Sequence, residues 1–124
     1  MSFYGGIKSY DIHTYYNYGD EAEREFASSL RDRVLEEFSQ EIEDGKVRVH
    51  KFWTQPIGPH PTAMWECDFN DITVFNKIVP WFQLNHGKLS VLIHPRSDLG
   101  DLKDHTDHAL WLGHKQRLIT HILK

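Results

Sequence analysis

A β-α-β-β-α-β order of segments predicts an α+β fold of the ferredoxin-like type. Such a fold has a four-stranded antiparallel sheet with both helices on one face. Three observations carry the prediction. Phe26, Ala27, Leu30, Val34, Leu35 and Phe38 recur at helical spacing. A second apolar stretch, Ile72 to Asn85, follows the capping pair Asn70-Asp71. Short segments rich in β-branched and aromatic residues flank these helices in the required places.

The elements follow in order. Ile7 to Tyr16 (IKSYDIHTYY) is the first strand, and Asn17 to Asp20 turns the chain. Asp20 and Glu23 form a capping box for a helix over 21–40, and Asp44-Gly45 ends that unit. Val47 to Trp53 (VRVHKFW) alternates as a second strand, followed by a stiff loop, TQPIGPHP. Met64 to Phe69 is the third strand. The second helix, about 72–85, contains Pro80, which predicts a kink or a restart there. His86-Gly87 closes it, and Leu89 to His94 (LSVLIH) is the fourth strand. A histidine-rich segment and a short amphipathic tail, Gln116 to Lys124, complete the chain. The spatial strand order expected is 4-1-3-2.

Composition narrows the function. The 124 residues fit a single domain, 1–124, large enough for a core without disulfides. A net charge of −4, with no basic run, argues against nucleic acid as a partner. The single cysteine, Cys67, excludes an intramolecular disulfide and a cysteine-based zinc motif. No apolar window is long enough for a membrane span and no signal-peptide pattern opens the chain, so a cytoplasmic protein without membrane contact is expected. Nine histidines are the compositional oddity.

Strand side chains alternate between faces. With Tyr10 and Ile12 under the helices, Asp11, His13 and Tyr15 point away. The same parity turns Leu92 and His94 outward in the fourth strand. In the third strand it turns out Met64, Glu66 and Asp68, and in the second Arg48, His50 and Phe52. His13, His94 and Glu66 therefore share one face of adjacent strands. Two imidazoles and a carboxylate so placed can chelate non-haem Fe(II) and leave positions open for substrate and oxygen. Nearby loops bring His60, His105 and His108 into range.

Each residue also has an ordinary reading. His13 and His94 could be hydrogen-bonded strand residues, and Glu66 could balance Arg48. His105 and His108 could sit in a solvated turn where Asp104 or Asp107 caps Ala109 to Leu112. Aspartates could instead hold imidazole N–H groups. His60 could belong to a rigid Pro-flanked turn, and Trp111-Leu112-Gly113 could pack a loop or line an aromatic pocket. His50, His86, His114 and His121 read as surface or packing residues.

The segments YDIHTYY, PIGPHP, LSVLIHP and DLKDHTDHALWLG, in this order from about Tyr10 to Gly113, together resemble the DOPA 4,5-dioxygenase family. The resemblance implies a ferredoxin-like homodimer, an α/β barrel-like pairing of sheets. It also implies extradiol cleavage of a catechol such as L-DOPA or a related o-diphenol, using Fe(II) with O2 as co-substrate. His13, His60, His94 and His105 match histidines of the family's motifs, and His108 lies in the last of them. Relatives often carry a further histidine before GPHP, where Thr54 and Gln55 stand here, a departure that bears on DOPA as the substrate. The expected ligands are His13 and His94, with Glu66 or one of His105 and His108 completing the set. His60, His105 and His108 are the acid/base candidates. Two other functions fit the same residues: a metal-free dimer binding a small aromatic ligand, and a cofactor-independent oxygenase or isomerase.

Overall fold

The computed structural model describes residues 3–124. Its strands are β1 (Ser9–Tyr16), β2 (Val47–Phe52), β3 (Ala63–Phe69), β4 (Val91–Arg96) and β5 (Leu110–Leu112). Its α-helices are α1 (Glu21–Glu37), α2 (Ser39–Glu43), α3 (Ile72–Asn85) and α4 (Asp101–His105). The sheet order is β2-β3-β1-β4-β5, and all pairings are antiparallel. The expected 4-1-3-2 arrangement is present, but the sheet has five strands rather than four. The fifth arises because the histidine-rich segment turns back through α4. Leu110 to Leu112 then pair with Ile93 to Val91 and cover the free edge of β4.

The helix boundaries have local causes. The Asp20 carboxylate accepts the Glu23 N–H at 3.1 Å and starts α1. Glu23 reaches back past Asp20 to the Asn17 N–H at 2.9 Å, so the capping box is offset. The expected 21–40 helix breaks at Phe38, whose backbone leaves helical geometry (φ −107°, ψ 23°) as its ring becomes wholly buried. Asp71 caps α3 by accepting the Thr73 N–H at 2.8 Å. α3 runs unbroken past Pro80. Asn76, the residue whose carbonyl loses its helical donor there, lies on the exposed side with Pro80, where water can replace the bond. Gly87, at φ +60°, follows α3, and a Cβ there would meet the Phe26 ring at 2.8 Å.

Both long helices cover one face. Ala27, Leu30 and Val34 of α1 and Val74, Ile78 and Phe82 of α3 pack on Ile12, Trp65, Cys67, Phe69, Val91 and Ile93. The strand parity read from the sequence holds, except at Phe52. The β2–β3 register shifts between Val49 and Phe52, a bulge that turns Phe52 to the helix side, where it stacks on Tyr16 at 4.8 Å.

The second face divides in two. In one half Tyr15, Met64 and Leu92 form a small core under Trp53 and Ile57 from the Pro-rich loop, Trp111 of β5 and Leu118 of the tail. The chain thus covers part of the face expected to be open. The other half is polar. The tail is irregular with one 3-10 turn, Thr120–Ile122, instead of an amphipathic element. Among the described residues no helix is long and apolar enough to cross a membrane.

Candidate functional site

β1 and β4 bring the first two histidines together. Their register pairs Asp11 with His94 and His13 with Leu92, while β3 sets Glu66 opposite His13. The Nε2 atoms of His13 and His94 lie 3.1 Å apart, and the rings stack at 5.1 Å. The third imidazole comes from α4, with the His105 ring 3.9 Å from that of His94. The three residues each offer a nitrogen within 4.8 Å of the others.

Hydrogen bonds set the tautomers. His94 Nδ1–H donates to the Pro95 carbonyl at 3.0 Å, and His105 Nδ1–H donates to the Asp101 carbonyl at 2.7 Å. Each Nε2 is then left with its lone pair, the form that binds a cation. Burial pushes the His94 pKa down to about 3, with nearby His105 acting in the same direction. Burial, then the neighbouring imidazoles, hold His13 well below its ordinary value. The proximities of His94 to Asp11 (3.6 Å) and His13 to Glu66 (3.9 Å) are therefore contacts of neutral rings with carboxylates, not ion pairs.

His60, on the GPHP loop, completes the group. Its ring lies 4.1 Å from His13, and its Nδ1 lies 2.6 Å from the Tyr15 hydroxyl. Burial lowers its pKa to about 4. Carboxylates form the opposite wall. Burial, with Glu66 and Asp68 nearby, raises Asp11 to about 6 against the opposing Arg96 guanidinium, whose Nη1 is 3.3 Å away. Burial raises Glu66 too. Asp68 accepts from Arg48 at 2.9 Å and lies 2.6 Å from His50 Nε2. His13, His60, His105 and these carboxylates, with Arg48, His50 and Arg96, line a pocket of about 360 Å³.

The structure thus gathers His13, His60, His94, His105 and Glu66, and it leaves His108 outside. α4 ends at His105, so His108, three residues further on, is not carried by the same helix. His108 Nδ1 instead lies 3.0 Å from Asp104 Oδ1. Asp104 caps nothing at 109–112; it accepts the Ser97 N–H and hydroxyl, each at 2.8 Å. Burial alone would raise its pKa, but bonds from His108 and Ser97 outweigh burial and lower it. Sequence reasoning passed over three features. Asp11 has the right parity but no assigned role in the sequence, His50 reads there as a surface or packing residue, and the Tyr15–His60 bond joins residues 45 positions apart. Trp111 stacks on Tyr15 behind His60, in the small core rather than on this pocket's wall.

The donor set fits a divalent transition metal. Two nitrogens about 2.1 Å from one ion and at right angles to each other lie about 3 Å apart, close to the His13–His94 separation. Among the described residues His13 Nδ1 is buried without a hydrogen-bond partner, and the nearest carboxylate, Glu66, lies 3.9 Å from it.

Residues 10–122 match the model of the Dopa 4,5-dioxygenase family. A 21.2 kDa protein of Botryotinia fuckeliana, described only as uncharacterized, is 34% identical over 96% of this chain and 66% of its own length. A protein of Amanita muscaria named DOPA 4,5-dioxygenase is 32% identical over 86% of this chain and 46% of its own length. The chain therefore spans less than two thirds of either relative. A crystal structure of a candidate dioxygenase from Nostoc punctiforme superposes with a TM-score of 0.76 at 29% identity, over 94% of this chain and 90% of that one. The match from the first strand to the tail carries the conclusion that this chain belongs to the Dopa 4,5-dioxygenase family.

Proposed function

We propose that the protein is an extradiol dioxygenase that opens a catechol, L-DOPA or a related o-diphenol, with Fe(II) and O2. The observation that carries this reading is the convergence of His13, His94 and His105, each offering a ring nitrogen within 4.8 Å of the others beside a polar pocket. In this reading these three imidazoles hold the metal. Bound there, Fe(II) would supply redox chemistry and the Lewis acidity that eases loss of the catechol protons.

The chain's own groups have distinct tasks. His94 and His105 are aimed by the Pro95 and Asp101 carbonyls, so their lone pairs need no rearrangement. Glu66 stands 3.9 Å from His13 Nδ1, where a small shift on metal binding would let it accept that N–H. His60 is the acid/base group. In the tautomer this role requires, its Nδ1–H donates to the Tyr15 hydroxyl, which leaves Nε2 to accept a substrate hydroxyl proton and later return it. The low pKa keeps His60 neutral at rest. A second copy of the chain, sheet against sheet, would close the polar half of the face and exclude water.

Loading the metal-free protein with Fe(II) under anaerobic conditions, then adding a catechol and air, produces a yellow semialdehyde on this reading. Folded, iron-loaded protein that stays colourless across several catechols refutes it. Ring cleavage that survives exhaustive chelation shifts the reading to a cofactor-independent oxygenase.

A further inference from the structure

The geometry points to Asp11 as a carboxylate ligand of the same metal centre, a role separate from its contact with Arg96. This inference rests on the metal-site reading above. Asp11 Oδ2 lies 3.6 Å from His94 Nε2, little farther than the 3.1 Å between His94 and His13. His94 Nδ1 gives its proton to the Pro95 carbonyl, so His94 Nε2 carries a lone pair. Two acceptors, a lone-pair nitrogen and a carboxylate oxygen, thus face each other in a buried place. That arrangement repels unless a shared cation lies between them.

The rest of Asp11's surroundings agrees. The residue is 8% exposed, and its register partner in β4 is His94 itself. Its compensating cation, Arg96, makes one contact at 3.3 Å through Nη1, and its side chain is half exposed. That is a loose partner for a buried carboxylate. Asp11 also falls within ligand range of His13 and Glu66. His13 Nδ1, on a residue 4% exposed, is also without a hydrogen-bond partner among the described residues, so the cluster's own hydrogen bonds do not satisfy all of its buried polar atoms. Glu66 lies toward that Nδ1 edge, 3.9 Å away. Asp11 lies beside the lone-pair nitrogen of His94, and this contact favours Asp11 over Glu66 as the carboxylate next to that nitrogen.

The test uses Co(II), with visible d–d bands, titrated into the full metal-free chain and into D11N and R96Q. A ligating Asp11 predicts that D11N weakens Co(II) binding by about tenfold or more and changes the d–d spectrum. It predicts that R96Q, which removes a nearby positive charge, binds Co(II) at least as tightly as the parent chain. A merely structural ion pair predicts that D11N and R96Q lower the melting temperature alike and leave Co(II) affinity and spectrum unchanged; that result overturns the inference. A second measurement needs no variant. Proton NMR of the Co(II)-loaded parent chain should show the Asp11 methylene pair strongly shifted, and its absence overturns the inference even if D11N does not fold. A parent chain that binds no Co(II) overturns both the inference and the metal-site reading. Binding that D11N leaves intact overturns the inference alone.

Discussion

Replacing Tyr15 with Phe tests whether the site is held by the bond from β1 to the Pro-rich loop. The substitution removes one oxygen and keeps the ring. That oxygen lies 2.6 Å from His60 Nδ1, and both residues are at most 4% exposed. The loss of a buried hydrogen bond costs roughly 1 kcal/mol, and leaving the His60 Nδ1 without a partner adds about another 1 kcal/mol or more. The total is about 2 kcal/mol. Unfolding entropy of roughly 2.1 cal/mol/K per residue then predicts a fall in Tm of about 8 °C for the 124-residue chain. The assay is a thermal melt followed by near-UV circular dichroism at fixed protein concentration, with and without Fe(II). Because the same bond fixes the His60 tautomer, kcat for ring cleavage should fall more than metal affinity does. A Tm within 1–2 °C of the parent, or a loss of metal binding that exceeds the loss of turnover, refutes the reasoning.

Three further outcomes follow from the burial of specific groups. The metal-free protein should lose stability as pH falls from about 6.5 toward 4, since His60 and His94 are held at about 4 and about 3 and the folded state binds fewer protons there than the unfolded chain. His60 alone is worth about 3 kcal/mol across that window. Asp11, raised to about 6, acts in the opposite sense and offsets part of the loss; a Tm that is flat between pH 7 and 4.5 contradicts this. Leu92→Ala, in the small core behind the site, should cost about 3 kcal/mol by urea unfolding, whereas Leu84→Ala, at a position 85% exposed, should cost less than about 0.5 kcal/mol. Equal effects would show that the small core is not packed. Cys67 is wholly buried and its thiol pKa is raised by that burial, so a thiol reagent should modify it on the order of a thousandfold more slowly in native protein than in urea. Similar rates would show that the β3 core opens freely.

Much of the architecture was legible because helices and strands impose different periods on apolar residues. The repeat from Phe26 to Phe38 and the caps at Asp20 and Asp71 placed the helices to within a few residues. Strand parity alone put His13, His94 and Glu66 on one face, since alternation is a local property of the backbone. Parity failed at Phe52, where a bulge inverts the alternation; a bulge depends on pairing with β3 and leaves no local trace. The fifth strand was missed because Leu110 to Leu112 are too few to show a period. They are a strand only because β4 offers an open edge beside them.

The site divides along the same line. The amino-acid order alone set which residue types were available: imidazoles on β1 and β4, one on a Pro-stiffened loop, and two more, His105 and His108, around α4. Tertiary structure decided what they do together. It drew His105 into the cluster and left His108 with Asp104, because α4 ends between them. It joined Tyr15 to His60, and it set Asp11 against His94. Side-chain identity and periodicity are written along the chain, whereas a distance of about 3 Å between atoms some eighty residues apart exists only once the sheet has closed its register.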